Sequence, residues 1–151
     1  MDRLRSSEIR TITLPKRTLE GALVKTLLKA TGTGIVGAVV FVTLVFVAAD
    51  ASSGPLLVES PDGELAQVAF AGAIVFTILG GIVGAGIARV LRGRARAERR
   101  FLNICAGFLI VYGAYAFNQA VDLTTGVWLN VMHLAAAAPI VDQLRRWLRG
   151  R

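Results

Sequence analysis

Residues Leu65–Arg100, LAQVAFAGAIVFTILGGIVGAGIARVLRGRARAERR, change character at one position. The first 24 carry no charge, and the last twelve hold six arginines. A helix over the uncharged part rises about 36 Å, enough to cross roughly 30 Å of hydrocarbon. Strands are disfavoured, because no period-2 alternation appears and only helices or closed barrels satisfy a backbone in lipid. The stretch therefore reads as a transmembrane helix that ends in a basic loop.

Three further apolar segments fit that reading: TGIVGAVVFVTLVFVAA (33–49), FLNICAGFLIVYGAYAFN (101–118) and TTGVWLNVMHLAAAAPIV (124–141). With their flanks, the spans are placed at 33–50, 65–88, 101–119 and 124–144. The flanks alternate. Counting from the first flank, they hold seven, none, six, none and four Lys or Arg residues. Cytoplasmic loops concentrate Lys and Arg. Any other number of spans would leave a basic cluster on the wrong side. The expected fold is all-α, a four-helix transmembrane bundle with both termini cytoplasmic, located in the cell membrane as a multi-pass protein.

Composition agrees. Hydrophobic residues make up 54% and charged residues 18%, with a mean hydropathy of +0.61. The single Cys105 rules out an internal disulfide, and one Cys with one His cannot build a structural zinc site. The net charge of +7 is concentrated at the flanks, and its densest run, Arg89–Arg100, has no interleaved aromatics, so anionic lipid headgroups are the expected partner and nucleic acid is not.

Outside the spans, residues 1–32 form a basic arm and residues 146–151 a basic tail. Within the arm, TLEGALVKTLLKA (18–30) places Leu19, Leu23, Leu27 and Ala30 on one stripe. Gly32 and Gly34 follow and supply a cheap bend. An interfacial amphipathic helix is expected here, in preference to a plain extension of the first span. A basic start, an apolar run and Ala49-Asp50-Ala51 also resemble a cleavable signal. The roughly 30 residues before the apolar run are long for that reading. In the loop after the first span, Ser-Gly-Pro and Pro-Asp-Gly suggest a small hairpin or a flap. Its carboxylates match no calcium loop.

Small residues Gly80, Gly84 and Ala88 recur every fourth position in the second span and read as a helix-packing face. A nucleotide-binding glycine loop would need a preceding strand, which a span excludes. Trp128 and Trp147 bracket the fourth span and fit an aromatic belt.

His133, the sole histidine, lies near mid-depth in the fourth span. Ionisable groups there are candidates for function. Asn130 shares its face, and Tyr112 and Tyr115 fall at similar depth, so these four form a candidate midplane polar site; Thr43 and Thr77 could join it. A proton carrier would need a mid-membrane acid, yet Asp122 and Asp142 sit at opposite ends. A haem ligand would need a second axial partner, and Met132 points about 100° away. The remaining reading is a neutral tie between helices. Asn118, Gln119, Asp122 and Gln67 form an outer polar rim. No nucleophile–base pair, carboxylate pair, cofactor motif or metal constellation can be assembled.

The chain resembles a family of small bacterial four-helix integral membrane proteins classed only as a domain of unknown function. The matching features are the outer loop, the glycine-rich second span, the basic loop, and Val131-Met132-His133-Leu134 before small residues. The resemblance covers roughly residues 33–145, with the basic arm outside it, and implies an integral membrane protein without an assigned activity. The expected function is non-enzymatic, through helix packing or through binding another membrane protein or a second copy. The alternative is a transporter or small-ligand binder built around His133.

Overall fold

The computed structural model describes residues 16–60 and 62–150, with side chains from residue 20 onward. The first 15 residues of the basic arm, Pro61 of the outer loop and Arg151 lie outside the described residues. Among the described residues there are four helices: α1 (Lys16–Ser53), α2 (Phe70–Leu91), α3 (Ala97–Gln119) and α4 (Leu123–Arg149). Each is long and apolar enough to cross a membrane. Between α1 and α2 lies a two-stranded antiparallel hairpin, β1 (Leu57–Glu59) and β2 (Leu65–Gln67), with Val58 opposite Ala66.

Two boundaries differ from the sequence reading. Residues 65–69, assigned there to the second span, form β2 and the approach to α2. Segment 18–30 is no separate interfacial helix, because α1 runs unbroken through Gly32 and Gly34. From Leu23 onward, the stripe that suggested a membrane-surface helix faces protein instead. Leu27 is buried in the core at the basic end, and Leu23 and Ala30 pack against it. Gly34 serves close approach and not a bend: a Cβ there would lie 3.0 Å from Ile140 Cα and 3.4 Å from the Pro139 carbonyl oxygen. One turn on, a Cβ at Gly37 would lie 3.2 Å from Pro139 Cβ. Two small residues thus let α1 lie directly on the proline of α4.

That contact sets the architecture. Leu27, Thr31, Gly34, Ala38, Val42 and Ala49 are buried along one stripe of α1, at the three- and four-residue steps of a helix face. The facing stripe of α4 is Leu129, Met132, Ile140, Leu144 and Trp147. α1 with α4 is the closest helix pair, and α4 also packs on α3 and α2. α2 and α3, joined by a short loop, pack more loosely. Elsewhere the surface is strongly apolar. Phe76 is 75% exposed, Ile110 73% and Val36 65%, as expected where lipid replaces water.

The core divides into two parts. At the basic end, Leu27, Ala38, Ala88, Leu91, Phe101, Ile140 and Leu144 pack together with Trp147. At the acidic end, Ala49, Leu56, Ala116, Leu129 and Met132 do so under the hairpin. The hairpin is fastened there. Val68 N–H donates to the Leu56 carbonyl at 2.9 Å, and Val121 N–H donates to the Leu57 carbonyl at 3.4 Å. Leu56 is thereby driven into the core, at 4% exposure.

Candidate functional site

The midplane residues are positioned by α4, whose 3.6-residue period turns Asn130 and His133 toward neighbouring faces. Both are half-buried. They do not converge on a shared partner. His133 Nδ1 lies 2.7 Å from the Leu129 carbonyl oxygen, one turn back on its own helix. A carbonyl only accepts, so this nitrogen carries the proton and the imidazole is the Nδ1–H tautomer when neutral. Asn130 Nδ2 donates to the Gly126 carbonyl at 2.9 Å and to the Gly113 carbonyl of α3 at 3.3 Å. The second bond is the polar tie across the bundle at this depth. A glycine leaves it room: a Cβ at position 113 would sit 2.5 Å from Asn130 Oδ1, so a side chain there would push the amide aside.

The two tyrosines expected beside His133 are directed elsewhere. Tyr112 and Tyr115 are 53% and 56% exposed on the outer face of α3. Tyr112 stacks on Phe108 at a centroid distance of 6.1 Å. The reason is rotation of α3: Phe101, Gly113 and Ala116 take its buried face. Tyr112 and Tyr115 are therefore turned off that face. Thr43 and Thr77 also stay on their own helices, donating to the Val39 and Ala73 carbonyls at 2.8 Å.

The packing face of α2 differs from the expected one at a single position. Gly84 and Ala88 face the bundle, where a Cβ at Gly84 would lie 3.3 Å from Leu144 Cδ1 and Ala88 is wholly buried. Gly80 faces open space, and Gly81 takes its place against Ile35. In α3, Gly107 likewise meets nothing, whereas Gly113 is in contact.

The basic end holds a polar cluster that sequence reasoning did not foresee. Trp147, expected at an aromatic belt, is buried, and its Nε1–H donates to Thr26 Oγ1 of α1 at 3.1 Å. Arg92, just past α2, places its guanidinium 3.9 Å from the Trp147 ring centroid. It donates to the Trp147 carbonyl at 3.4 Å and to the Gly150 carbonyl at 3.2 Å. A cation thus caps the negative end of the α4 dipole while stacking on an indole. On α3, Glu98 pairs with Arg145 at 3.0 Å and Arg149 at 2.6 Å. All four helices are joined at this level. The only early signal was the density of arginines, which does not say which one turns inward.

At the acidic end, Trp128 Nε1–H donates to Ser53 Oγ at 3.0 Å, tying α4 to the end of α1. Asp122 is the N-cap of α4. Its Oδ1 accepts from Thr125 N–H at 2.7 Å, and its Oδ2 accepts from the Thr125 hydroxyl at 3.0 Å. These bonds hold its carboxyl below the usual carboxylate range, the backbone bond contributing most.

Four membrane-length helices among the described residues, with an apolar exterior, define a multi-pass membrane protein. The chain belongs to a family of unknown function, DUF6069, whose profile matches residues 23–150. The match reaches into the arm that the sequence resemblance had left out, consistent with α1 being one helix there. Neither a curated protein nor a solved structure matches the chain.

Proposed function

We propose that this protein is a non-enzymatic component of the cell membrane, with its basic end in the cytoplasm. It acts through its packed bundle and outer helix faces, as the partner of another membrane protein or of a second copy. The observation that carries this reading is the use made of Asn130 and His133. Asn130 ties α4 to the Gly113 carbonyl of α3, which is what an inter-helix tie does, and His133 is engaged by the Leu129 carbonyl of its own helix. The orientation follows from charge. Asp50 in the last turn of α1 and Glu59, Asp62 and Glu64 after it have no basic residue among them, while the arginines gather at the other end.

The test is ion movement in vesicles. Purified protein is reconstituted into liposomes that enclose a pH-sensitive dye, and a pH gradient is imposed. Decay at the rate of protein-free liposomes is expected. A protein-dependent leak removed by His133→Gln would assign a carrier function instead.

A further inference from the structure

His133 bonds through only one of its two ring nitrogens. Nδ1–H donates to the Leu129 carbonyl, which leaves Nε2 of the neutral ring as an acceptor. Nε2 has no partner among the described residues and is not sealed inside the protein. Tyr112 presents the converse. Its ring stacks on Phe108 at 53% exposure, and its hydroxyl, a donor, meets no acceptor among the described residues. Hydrocarbon supplies neither donors nor acceptors, so an unmet polar group at mid-depth is costly. The two groups also share a depth. The bond from Asn130 to Gly113 sets those two residues level. The helices run antiparallel, so Tyr112 stands two residues from the level of His133, about 3 Å of rise. Side chains lean toward the N-terminus of their own helix, which carries these two toward one level. Tyr115, five residues away, is off by about 7.5 Å. Within one copy the pair does not meet, because Gly113 and Ala116 take the buried face of α3.

We propose that two copies pair through α3 and α4, with the Tyr112 hydroxyl of each donating to His133 Nε2 of the other. This rests on the partner-binding reading and names the partner. A two-fold axis along the membrane normal keeps every residue at its own depth in both copies. A donor and an acceptor that are level within one copy are then level between copies. Each copy brings one of each, so the contact closes on itself with two bonds. A different membrane protein fits less well, because it must bring both a donor for His133 and an acceptor for Tyr112.

The experiment is energy transfer between full-length copies that carry donor or acceptor dyes on a C-terminal tag, in phosphatidylcholine liposomes over a range of protein-to-lipid ratios. Wild type should pair. Tyr112→Phe removes both bonds and should weaken pairing about 30-fold, at about fivefold per bond. His133→Asn should do the same. Its shorter amide keeps a bond to the Leu129 carbonyl, as Asn130 does to Gly126, but draws the acceptor back. Mixing the two variants restores one bond, between the hydroxyl of the His133→Asn copy and the ring of the Tyr112→Phe copy. Mixed pairs should therefore form about fivefold more tightly than either variant with itself. Tyr115→Phe should match wild type. The proposal is overturned if wild type stays monomeric, if Tyr112→Phe pairs like wild type, or if Tyr115→Phe loses as much. It is overturned equally if the mixture pairs no better than its components. A proton leak removed by His133→Gln fails the earlier reading, whereas these outcomes fail the pairing alone.

Discussion

Asn130 of α4 donates to the carbonyl of Gly113 on α3 at 3.3 Å, and its Oδ1 occupies the space that a side chain at 113 would need. The amide and the missing methyl are one device. Gly113→Ala should force the amide away and overpack the contact, lowering stability by about 1–3 kcal/mol. Asn130→Leu removes the bond without overpacking and should cost about 1 kcal/mol. Reversible unfolding in mixed detergent measures both. Equal stability of all three proteins would remove the tie from the account.

The glycines divide sharply into used and unused positions. Gly34→Ala meets backbone on α4 and should destabilise by about 1–3 kcal/mol. Gly80→Ala meets nothing and should lose no stability, gaining up to about 1 kcal/mol from helix propensity. The same unfolding assay compares them, and a larger loss at Gly80 than at Gly34 contradicts the packing faces described for α1 and α2.

At the basic end, Trp147→Ala removes a buried ring from beneath Arg92 and should cost about 3–5 kcal/mol. Thr26→Val leaves the ring in place and strands its buried Nε1–H, at about 1–3 kcal/mol. Intrinsic fluorescence gives a second readout. Trp147 emission should shift to the red in Arg92→Ser, while Trp128, bonded to Ser53 at the other end, stays unchanged.

Asp122 gives a dependence on pH. Its carboxyl titrates lower in the folded protein than in the unfolded chain because Thr125 donates to the charged form. The cap therefore contributes fully above the unfolded pKa of about 3.9. Its contribution falls away as pH drops through the lower folded value. Asp122→Asn, which keeps a capping oxygen without the charge, should melt below wild type at pH 6. The gap should close as pH falls below 4. A gap that widens on acidification reverses the assignment.

The four-helix plan was legible in the sequence because bilayer thickness and charge placement constrain it from outside the protein. Arg89–Arg100 beside an uncharged run needs no tertiary information. Interior detail was not legible, for identifiable reasons. Gly32 and Gly34 can make a bend or admit a neighbour, and the choice is made by Pro139, more than 100 residues away. Asn130 was matched to tyrosines because side chains are visible in a sequence. Its actual partner across the bundle is a backbone carbonyl, which every residue has. Which carbonyl it meets depends on the rotation of α3, and Gly113 directly follows Tyr112 in the chain. Trp147 and Trp128 look alike as belt residues, yet Arg92 and Thr26 make the first part of the core.

The central claim is that the polar groups at mid-depth are engaged by backbone carbonyls inside a packed bundle, with no aqueous path reaching them. The chain's single cysteine makes this directly measurable. In a Cys105→Ser background, His133→Cys is compared with Ser52→Cys at the acidic end. A membrane-impermeant methanethiosulfonate is applied to either face of reconstituted vesicles. The account predicts rapid labelling at position 52 from one face and none at 133 from either face. Labelling of position 133 at a comparable rate would show a water-filled route to the midplane and contradict it.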